Sequence, residues 1–260
     1  MEQGSSDGTP VRGSTRARRF VIVAAPRTGS NWVCSMLNSH PEILCHHEIF
    51  NPEGIHYALD HRAGDMDVGT VAERDAAPLD FIARLWRQDF GKRLVGFKIN
   101  RGQNEAAFRH VLADKGVSKI VLVRRNRVKT FVSEMIAEKT GQWESYGRAD
   151  GARPVGQLDV DAQALRRHVA VNRDYYARVR DALQSSGQQY LQVTYENLKG
   201  EAEWRDILRF LGVAVTAHAL KPATRKQNPG HLRDLISNYE QLEAALVGSE
   251  LEAELRDPES

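Results

Sequence analysis

Residues 19–32 read RFVIVAAPRTGSNW, and this stretch decides how the rest of the chain can fold. It opens with a short apolar run rich in β-branched residues, which is typical of a fully buried strand. Pro26 ends that strand, and Gly29 allows a tight turn with close approach of the backbone to a ligand. A helical pattern follows over residues 30–38. Strand, short loop and helix together form the geometry in which backbone N–H groups and the helix dipole bind phosphate.

Three side chains add hydrogen-bond donors at the mouth of this loop: Arg27, Thr28 and Ser30. The loop differs from the ordinary nucleoside-triphosphate loop, which needs Gly-x4-Gly-Lys-Ser/Thr, because it has no Gly-Lys pair. Taken alone, the loop leaves two interpretations open. It is either an anion-binding loop of another kind or a strand–turn–helix corner that binds no ligand.

Strand and helix patterns alternate along the rest of the chain. Further strands are predicted at 43–48, 93–99, 118–125 and 189–195, and further helices at 79–90, 106–115, 128–138, 162–184, 202–211 and 233–247. Strands separated by helices imply right-handed βαβ units. The expected fold is therefore α/β, with three layers and a central, mostly parallel sheet. We expect a disordered tail over residues 1–18 and a single domain over residues 19–250.

The composition is ordinary for a folded α/β protein, with 41% hydrophobic and 27% charged residues. A net charge of +2 gives no reason to expect nucleic acid or a membrane surface as a partner. No run approaches the 18 apolar residues of a transmembrane helix. Cys34 and Cys45 fall within a predicted helix and a predicted strand, where we expect buried, reduced thiols. Together these features favour a soluble, cytoplasmic protein.

A second candidate anion site follows the strand predicted at 118–125. Arg125 closes this strand, and Ser133 comes eight residues later, about two helical turns, so that both side chains can face one ligand. The planar guanidinium of arginine suits phosphate because it donates two parallel hydrogen bonds. Alone, the pair is equally compatible with a basic helix start followed by an ordinary serine.

In this order, the two motifs resemble those of the sulfotransferases that use 3′-phosphoadenosine 5′-phosphosulfate (PAPS). The loop PRTGSNW at 26–32 is similar to their 5′-phosphosulfate loop, and Arg125-Asn126 with Ser133 is similar to their 3′-phosphate motif. The motif style is closest to the carbohydrate and tyrosylprotein sulfotransferases and their bacterial relatives. The resemblance implies a P-loop-like architecture, PAPS as donor, adenosine 3′,5′-bisphosphate as product and no metal. The implied donor-binding loop residues are Arg27, Thr28, Gly29, Ser30, Asn31 and Trp32.

Two later segments extend the resemblance. Tyr195 in VTYENL is similar to the family tyrosine near the adenine of the donor, although a half-buried tyrosine at a strand end explains it equally well. Arg225 and Lys226 match the Arg-Lys pair that family members place over the 3′-phosphate. The glycine that often follows this pair is Gln227 here, and a solvated charge pair is the alternative.

The resemblance also suggests roles in catalysis. Arg27 would neutralise charge on the leaving phosphate oxygen as a permanently charged clamp. Lys98, in GFKI, is similar to lysines that reach the sulfuryl oxygens, although a charge at the rim of the site is the alternative. Glu48, in SHPEILCHHE, occupies the place of the general base in the carbohydrate and tyrosylprotein enzymes. His47 and His46 compete for that role because imidazole titrates near neutral pH.

Two other functional classes remain to be distinguished from a sulfotransferase. A P-loop nucleotide phosphotransferase is disfavoured by the missing Gly-Lys pair, and a non-catalytic nucleotide-binding protein is disfavoured by the presence of Arg27, Glu48, Arg125 and Ser133 together. The histidines lack the spacing of a metal site. The irregular stretches 51–78 and 141–160 are expected to bind a polar small-molecule acceptor, such as a sugar or a decorated natural product. A homodimer is compatible with the sequence.

Overall fold

The structure is a computed structural model. It describes residues 17–62, 64, 66–143, 156–215, 220–221 and 231–257. The predicted donor-binding residues Arg225 and Lys226 lie outside these ranges, as do most of the predicted tail and part of the irregular stretch 141–160.

Five parallel strands form the central sheet, in the order β2-β3-β1-β4-β5. The strand that opens the deciding stretch therefore lies in the middle of the sheet, as its continuous apolar sequence requires. The five strands are β1 Arg18–Ala24, β2 Ile43–Glu48, β3 Leu94–Asn100, β4 Val117–Val123 and β5 Tyr190–Thr194.

Helices connect the strands and extend the chain beyond the sheet. The described α-helices are α1 Ser30–Asn38, α2 Val71–Ala76, α3 Pro78–Leu85, α4 Glu105–Ala113, α5 Arg127–Thr140, α6 Ala162–Ser185, α7 Glu201–Leu211, α8 Leu232–Leu235, α9 Tyr239–Leu246 and α10 Glu250–Arg256. Short 3-10 helices lie at Leu59–His61 and Tyr195–Lys199. Within these described residues, no helix combines the length and the apolarity needed to cross a membrane.

The two faces of the sheet are covered by different helices. Along β1, Val21 and Val23 point to the face covered by α3, α4 and α6, while Phe20 and Ile22 point to the face covered by α1 and α7. This alternation follows from the period of two in a strand, with both sides buried. The predicted α/β class, with three layers and a central parallel sheet, is confirmed.

A third apolar cluster lies beside the sheet. It joins one side of α5 and the start of α6 to the C-terminal helices α8, α9 and α10, with Val132, Leu165 and Leu242 among its buried members. The expectation of one helix over 233–247 is wrong, because the backbone around Ile236 pairs with Leu158 like a short strand and separates α8 from α9.

Candidate functional site

The loop between β1 and α1 has the tight geometry predicted from its sequence. Arg27 and Gly29 both adopt left-handed backbone conformations, with φ of 61° and 85°. The ring of Tyr195 packs directly on Gly29, and a Cβ atom added there would overlap it. Thr28 donates a hydrogen bond from Oγ1 to the carbonyl of Ala25 at 2.9 Å. Tyr195, predicted to lie near the adenine of the donor, therefore closes one wall of this loop.

The N-terminus of α1 has no side-chain cap among the described residues. Gly29 is the N-cap residue, and the first turn carries no acidic residue. The first N–H groups of a helix have no partner within the helix, and they carry a partial positive charge. Anion binding is the natural use of such an end.

Lys98 lies next to this helix end, near the carboxyl end of β3. It belongs to β3 and is 1% exposed, so the alternative of a charge at the rim is wrong. Its Nζ lies 2.7 Å from Glu48 Oε1 and 3.3 Å from Ser30 Oγ. It also donates to Oδ1 of Asn31. One buried ammonium thus contacts both the first turn of α1 and the predicted base.

Glu48 faces Lys98 because β2 shifts register near its end. His46 pairs with Phe97 and Glu48 with the next residue, Lys98, so the chain bulges at His47. Burial by itself would raise the pKa of Glu48, but the charge of Lys98 and hydrogen bonds from Lys98 and Asn51 outweigh it and lower the pKa to about 2. The carboxylate is therefore ionised at neutral pH.

His47 and His46 are both fully buried. His47 Nδ1 lies 3.2 Å from Asn31 Oδ1, which brings this ring into the site. Burial lowers the pKa of His47 well below its usual range, and the charge of Lys98 adds to this. His46 turns away and accepts a hydrogen bond at Nδ1 from the backbone of Ala58, and burial lowers its pKa to about 3. Both rings are neutral at pH 7.

Arg27 extends from the loop towards α5. Its Nε donates to Ser133 Oγ at 3.0 Å, and its terminal Nη1 donates to the carbonyl of Trp143 at 2.7 Å. The structure therefore brings together one residue of each predicted phosphate motif. Ser133 lies on the first half of α5, where the two-turn spacing from Arg125 placed it.

Arg125 lies just beyond β4, at the start of α5. Its backbone N–H donates to the carboxylate of Glu196, as does that of Asn126, and its guanidinium donates to Asn197 Oδ1 at 3.0 Å. Asn126 caps α5 by accepting from the backbone N–H of Lys129. This corner is therefore fixed by the segment that follows β5.

Sequence reasoning missed Arg124. Its guanidinium lies 5.2 Å from the centre of the Tyr195 ring, and Nη1 donates to the carbonyl of Arg27 at 3.1 Å. Burial lowers its pKa, although arginine remains charged. The signal that could have identified it is the Arg124-Arg125 doublet at the end of a buried strand.

Trp32 is partly buried and packs against the apolar cluster between the sheet, α1 and α7. Its ring lies 5.9 Å from that of Tyr195 and 5.4 Å from that of Trp204, both edge-on. In the described part of the chain, no group of three or more His, Cys, Asp or Glu residues is placed to hold a metal ion.

The chain is similar in sequence to known proteins. Residues 89–241 match the model of the Stf0 sulphotransferase family. Nodulation protein H of Rhizobium tropici is 28% identical over 236 residues, covering 88% of this chain and 89% of that protein. Nodulation protein H of Rhizobium meliloti strain 1021 is 25% identical over 228 residues, covering 86% and 89%.

Among solved structures, the crystal structure of a sulfotransferase from Alicyclobacillus acidocaldarius aligns at 18% identity with a TM-score of 0.47, covering 92% of this chain and all of that one. At that TM-score the alignment adds no argument, and the assignment depends on the family model. This model spans more than half of the chain. The predicted resemblance to sulfotransferases is confirmed: the chain belongs to the Stf0 sulphotransferase family and is a sulfotransferase.

Proposed function

We propose that this sulfotransferase uses PAPS as its donor and transfers the sulfuryl group to a hydroxyl or amine of a polar small molecule. One observation carries the proposal. The Lys98 ammonium lies between the open N-terminus of α1 and the Glu48 carboxylate, at 2.7 Å from the latter. A cation for the transferring group and a base for the acceptor are thus adjacent at the carboxyl ends of parallel strands, where such folds bind ligands.

The helix end and Arg27 would hold the phosphosulfate. The first turn of α1 has no side-chain cap in the described part of the chain, and the Arg27 guanidinium projects from the loop before it. Negative charge develops on the bridging oxygen as the sulfur–oxygen bond breaks, and fixed positive charge stabilises it there. Sulfuryl transfer resembles phosphoryl transfer in depending mainly on position and electrostatics.

The 3′-phosphate would lie near the start of α5. Arg124 and Arg125 bring two guanidinium groups to this corner. Among the described residues, the buried Nε of Arg124 has no hydrogen-bond partner. Because buried polar groups are usually paired, this donor is a candidate to bind an anionic ligand. Ser133, Arg225 and Lys226 remain predicted contributors to this part of the site.

The reaction then needs one proton transfer. The acceptor hydroxyl gives its proton to Glu48 as its oxygen attacks sulfur, and the bond from sulfur to the phosphate oxygen breaks. The electron pair of that bond leaves with adenosine 3′,5′-bisphosphate. His47 is the competing base, because its neutral ring is near the same helix end.

Calorimetric titration with PAPS, adenosine 3′,5′-bisphosphate and ATP tests the donor. We expect the first two ligands to bind and ATP to bind at least tenfold more weakly, since ATP lacks the 3′-phosphate. Arg125→Ala should weaken adenosine 3′,5′-bisphosphate by about 10- to 100-fold, the effect of losing a charge-assisted pair of hydrogen bonds.

The control for Arg125→Ala is Arg205→Ala, which removes an exposed arginine paired with Glu201 on α7. Equal affinities for ATP and PAPS, or unchanged affinity in a folded Arg125→Ala protein, would contradict the proposal.

A screen of hydroxylated acceptors with ³⁵S-labelled PAPS identifies the acceptor. Activity that survives a chelator would support fixed cations in place of a metal.

A further inference from the structure

The two oxygens of the Glu48 carboxylate have different surroundings. Oε2 accepts hydrogen bonds from Asn51 Nδ2 at 3.0 Å and from Gln103 Nε2 at 2.7 Å. Oε1 faces the Lys98 ammonium at 2.7 Å. One oxygen is thus held by two neutral amides and the other by a single cation.

The backbone sets the orientation of both amides. Asn51 Oδ1 accepts from the N–H of Glu53 at 2.9 Å, and Gln103 Oε1 accepts from the N–H of Asn100 at 3.0 Å. Since an amide oxygen accepts and its nitrogen donates, each NH₂ group is left facing Glu48. Oε2 is therefore anchored by groups whose own positions are fixed by turns next to β2 and β3.

The cation at Oε1 is shared with the donor loop. An ammonium has three N–H donors, and those of Lys98 have three acceptors: Glu48 Oε1, Ser30 Oγ and Asn31 Oδ1. Ser30 and Asn31 form the first turn of α1. An anion that binds at this helix end therefore competes directly with Glu48 for Lys98.

A carboxylate held in this way is a poor base. Proton transfer is efficient when the pKa of the base lies near the working pH. The charged and titratable groups that face Glu48 are Lys98 from β3 and His56 from the segment after β2, and with the Asn51 hydrogen bond they keep its pKa at about 2. Removal of the nearest charge would leave burial to act in the opposite direction.

We propose that Asn51 and Gln103 are positioning residues that anchor Oε2 of Glu48, and that a donor bound at α1 draws Lys98 away from Oε1. Only then does Oε1 become able to accept the proton of the acceptor hydroxyl. The inference rests on the proposed function. In the transfer step, the hydroxyl proton moves to Oε1, the acceptor oxygen bonds to sulfur, and the sulfur–oxygen bond to the donor phosphate breaks. Base activation is thereby tied to donor occupancy, which limits loss of the sulfuryl group to water.

Carbon-13 NMR of the full chain labelled at its glutamate side chains tests the inference without an acceptor. The Glu48 signal is identified by its loss in Glu48→Gln. Its titration is followed without ligand, with PAPS and with adenosine 3′,5′-bisphosphate, which lacks the sulfuryl group. We expect the pKa to rise in the PAPS complex to the ordinary glutamate value, about 4.3, or above it. A smaller rise is expected with the bisphosphate.

Two variants separate the parts of the proposal. Lys98→Met should raise the Glu48 pKa without any ligand. Addition of PAPS should then change that pKa much less, and this remaining change measures the direct electrostatic effect of the donor on Glu48. Gln103→Met should raise the Glu48 pKa while leaving PAPS affinity within about twofold. The control is Gln88→Met, which removes an exposed amide that donates to the carbonyl of Asp67.

The outcomes are distinct. If PAPS fails to bind in parallel calorimetry, the proposed function is wrong. If PAPS binds and the Glu48 pKa stays near its value in the free protein, the function stands and the inference is overturned. If Lys98→Met responds to PAPS as strongly as the natural chain, Lys98 is not the coupling group. If Gln103→Met leaves the Glu48 titration unchanged, the amide does not anchor the carboxylate.

Discussion

At the scale of single residues, two adjacent tyrosines of α6 have contrasting surroundings. The hydroxyl of Tyr176 accepts from the backbone N–H of Ala25 at 2.8 Å and donates to the carbonyl of Leu122 at 2.7 Å. It therefore ties the start of the loop between β1 and α1 to the end of β4. In the described part of the chain, the buried hydroxyl of Tyr175 has no hydrogen-bond partner.

We therefore predict opposite effects from the same substitution. Tyr176→Phe leaves a buried N–H and a buried carbonyl unpaired, so the free energy of unfolding should fall by about 1–3 kcal/mol and affinity for adenosine 3′,5′-bisphosphate should fall severalfold. Tyr175→Phe removes an unsatisfied polar group and should be neutral or slightly stabilising. Urea unfolding and calorimetry of both variants provide the measurement, and equal effects in the two would contradict the prediction.

Gly29 provides a second residue-scale prediction. Gly29→Ala adds a Cβ that overlaps the ring of Tyr195, in a backbone conformation that also disfavours side chains. Gly91→Ala has a similar φ of 75° but open space around it, so it isolates the backbone cost. We expect Gly29→Ala to lose most binding of adenosine 3′,5′-bisphosphate, while Gly91→Ala costs about 1 kcal/mol of stability and leaves binding unchanged. Equal binding in both proteins would show that contact between Tyr195 and the loop is not needed.

At the scale of elements, α10 forms hydrogen bonds with the start of α5. The Glu254 carboxylate accepts from the backbone N–H and from Nε of Arg127, the latter at 2.7 Å, while Asn126 donates to the Glu254 carbonyl at 2.6 Å. A negative charge at a helix N-terminus is favourable. The acidic C-terminal segment thus supports the helix that carries Ser133.

Glu254→Gln should accordingly weaken this junction. The charge that faces the α5 N-terminus is lost, and we expect about 1–2 kcal/mol less stability together with a smaller loss in donor affinity. Glu240→Gln, which breaks an exposed pair with Arg233, should change stability by less than 0.5 kcal/mol or so. Thermal and urea unfolding of the two variants decide this, and similar losses would mean that the Glu254 contacts contribute no more than a surface pair.

Local patterns were sufficient to predict β1, the loop and α1, because a buried strand, a proline and a glycine constrain the backbone through their own chemistry. They also placed Glu48 and Lys98 at the ends of two predicted strands, which the structure shows to be neighbours. They could not predict Tyr176, Asn51 or Gln103 as parts of the site. Each depends on where a side chain meets a distant backbone group, which is set by the packing of α6 and of the turns after β2 and β3. Arg225 and Lys226 stay predictions.

At the scale of the whole molecule, buried neutral histidines make stability depend on pH. Burial lowers the pKa of His46 to about 3 and that of His47 in the same direction, and it lowers the pKa of His168 to about 4. In the unfolded chain these rings titrate near 6.5. Between that value and their folded values, the unfolded state binds more protons, so stability falls as the pH falls.

For His46 we expect a loss of about 1.4 kcal/mol per pH unit around pH 5, and His47 adds to this loss in the same direction. His46→Gln should reduce the slope by about one proton. Glu48 makes stability depend on pH in a second, more acidic range. Because its pKa is lowered in the folded chain, it contributes stability that is present above about pH 4.3 and is lost as the pH falls towards 2. Urea unfolding at pH 5, 6 and 7 measures the histidine window, and equal free energies of unfolding at pH 5 and 7 would contradict it.

The burial of Cys34 and Cys45 has a consequence for bench chemistry. Both thiols lie in the apolar cluster between α1 and the sheet. Burial raises the pKa of the Cys45 thiol well above its usual range, with Cys34 adding to this, so the reactive thiolate is scarce in the folded chain. An alkylating reagent such as iodoacetamide should therefore modify Cys45 only when α1 moves away from β2.

A ligand that binds only while α1 packs on β2 should slow this alkylation by a factor of 1 + [L]/Kd, about 100-fold at a concentration of 100 times its Kd. Mass spectrometry of the modified chain gives the rate, and equal rates with and without adenosine 3′,5′-bisphosphate would mean that Cys45 is exposed by an opening that leaves the donor site intact. Iodoacetamide labelling thus turns two inert core cysteines into a measure of donor affinity that requires no acceptor.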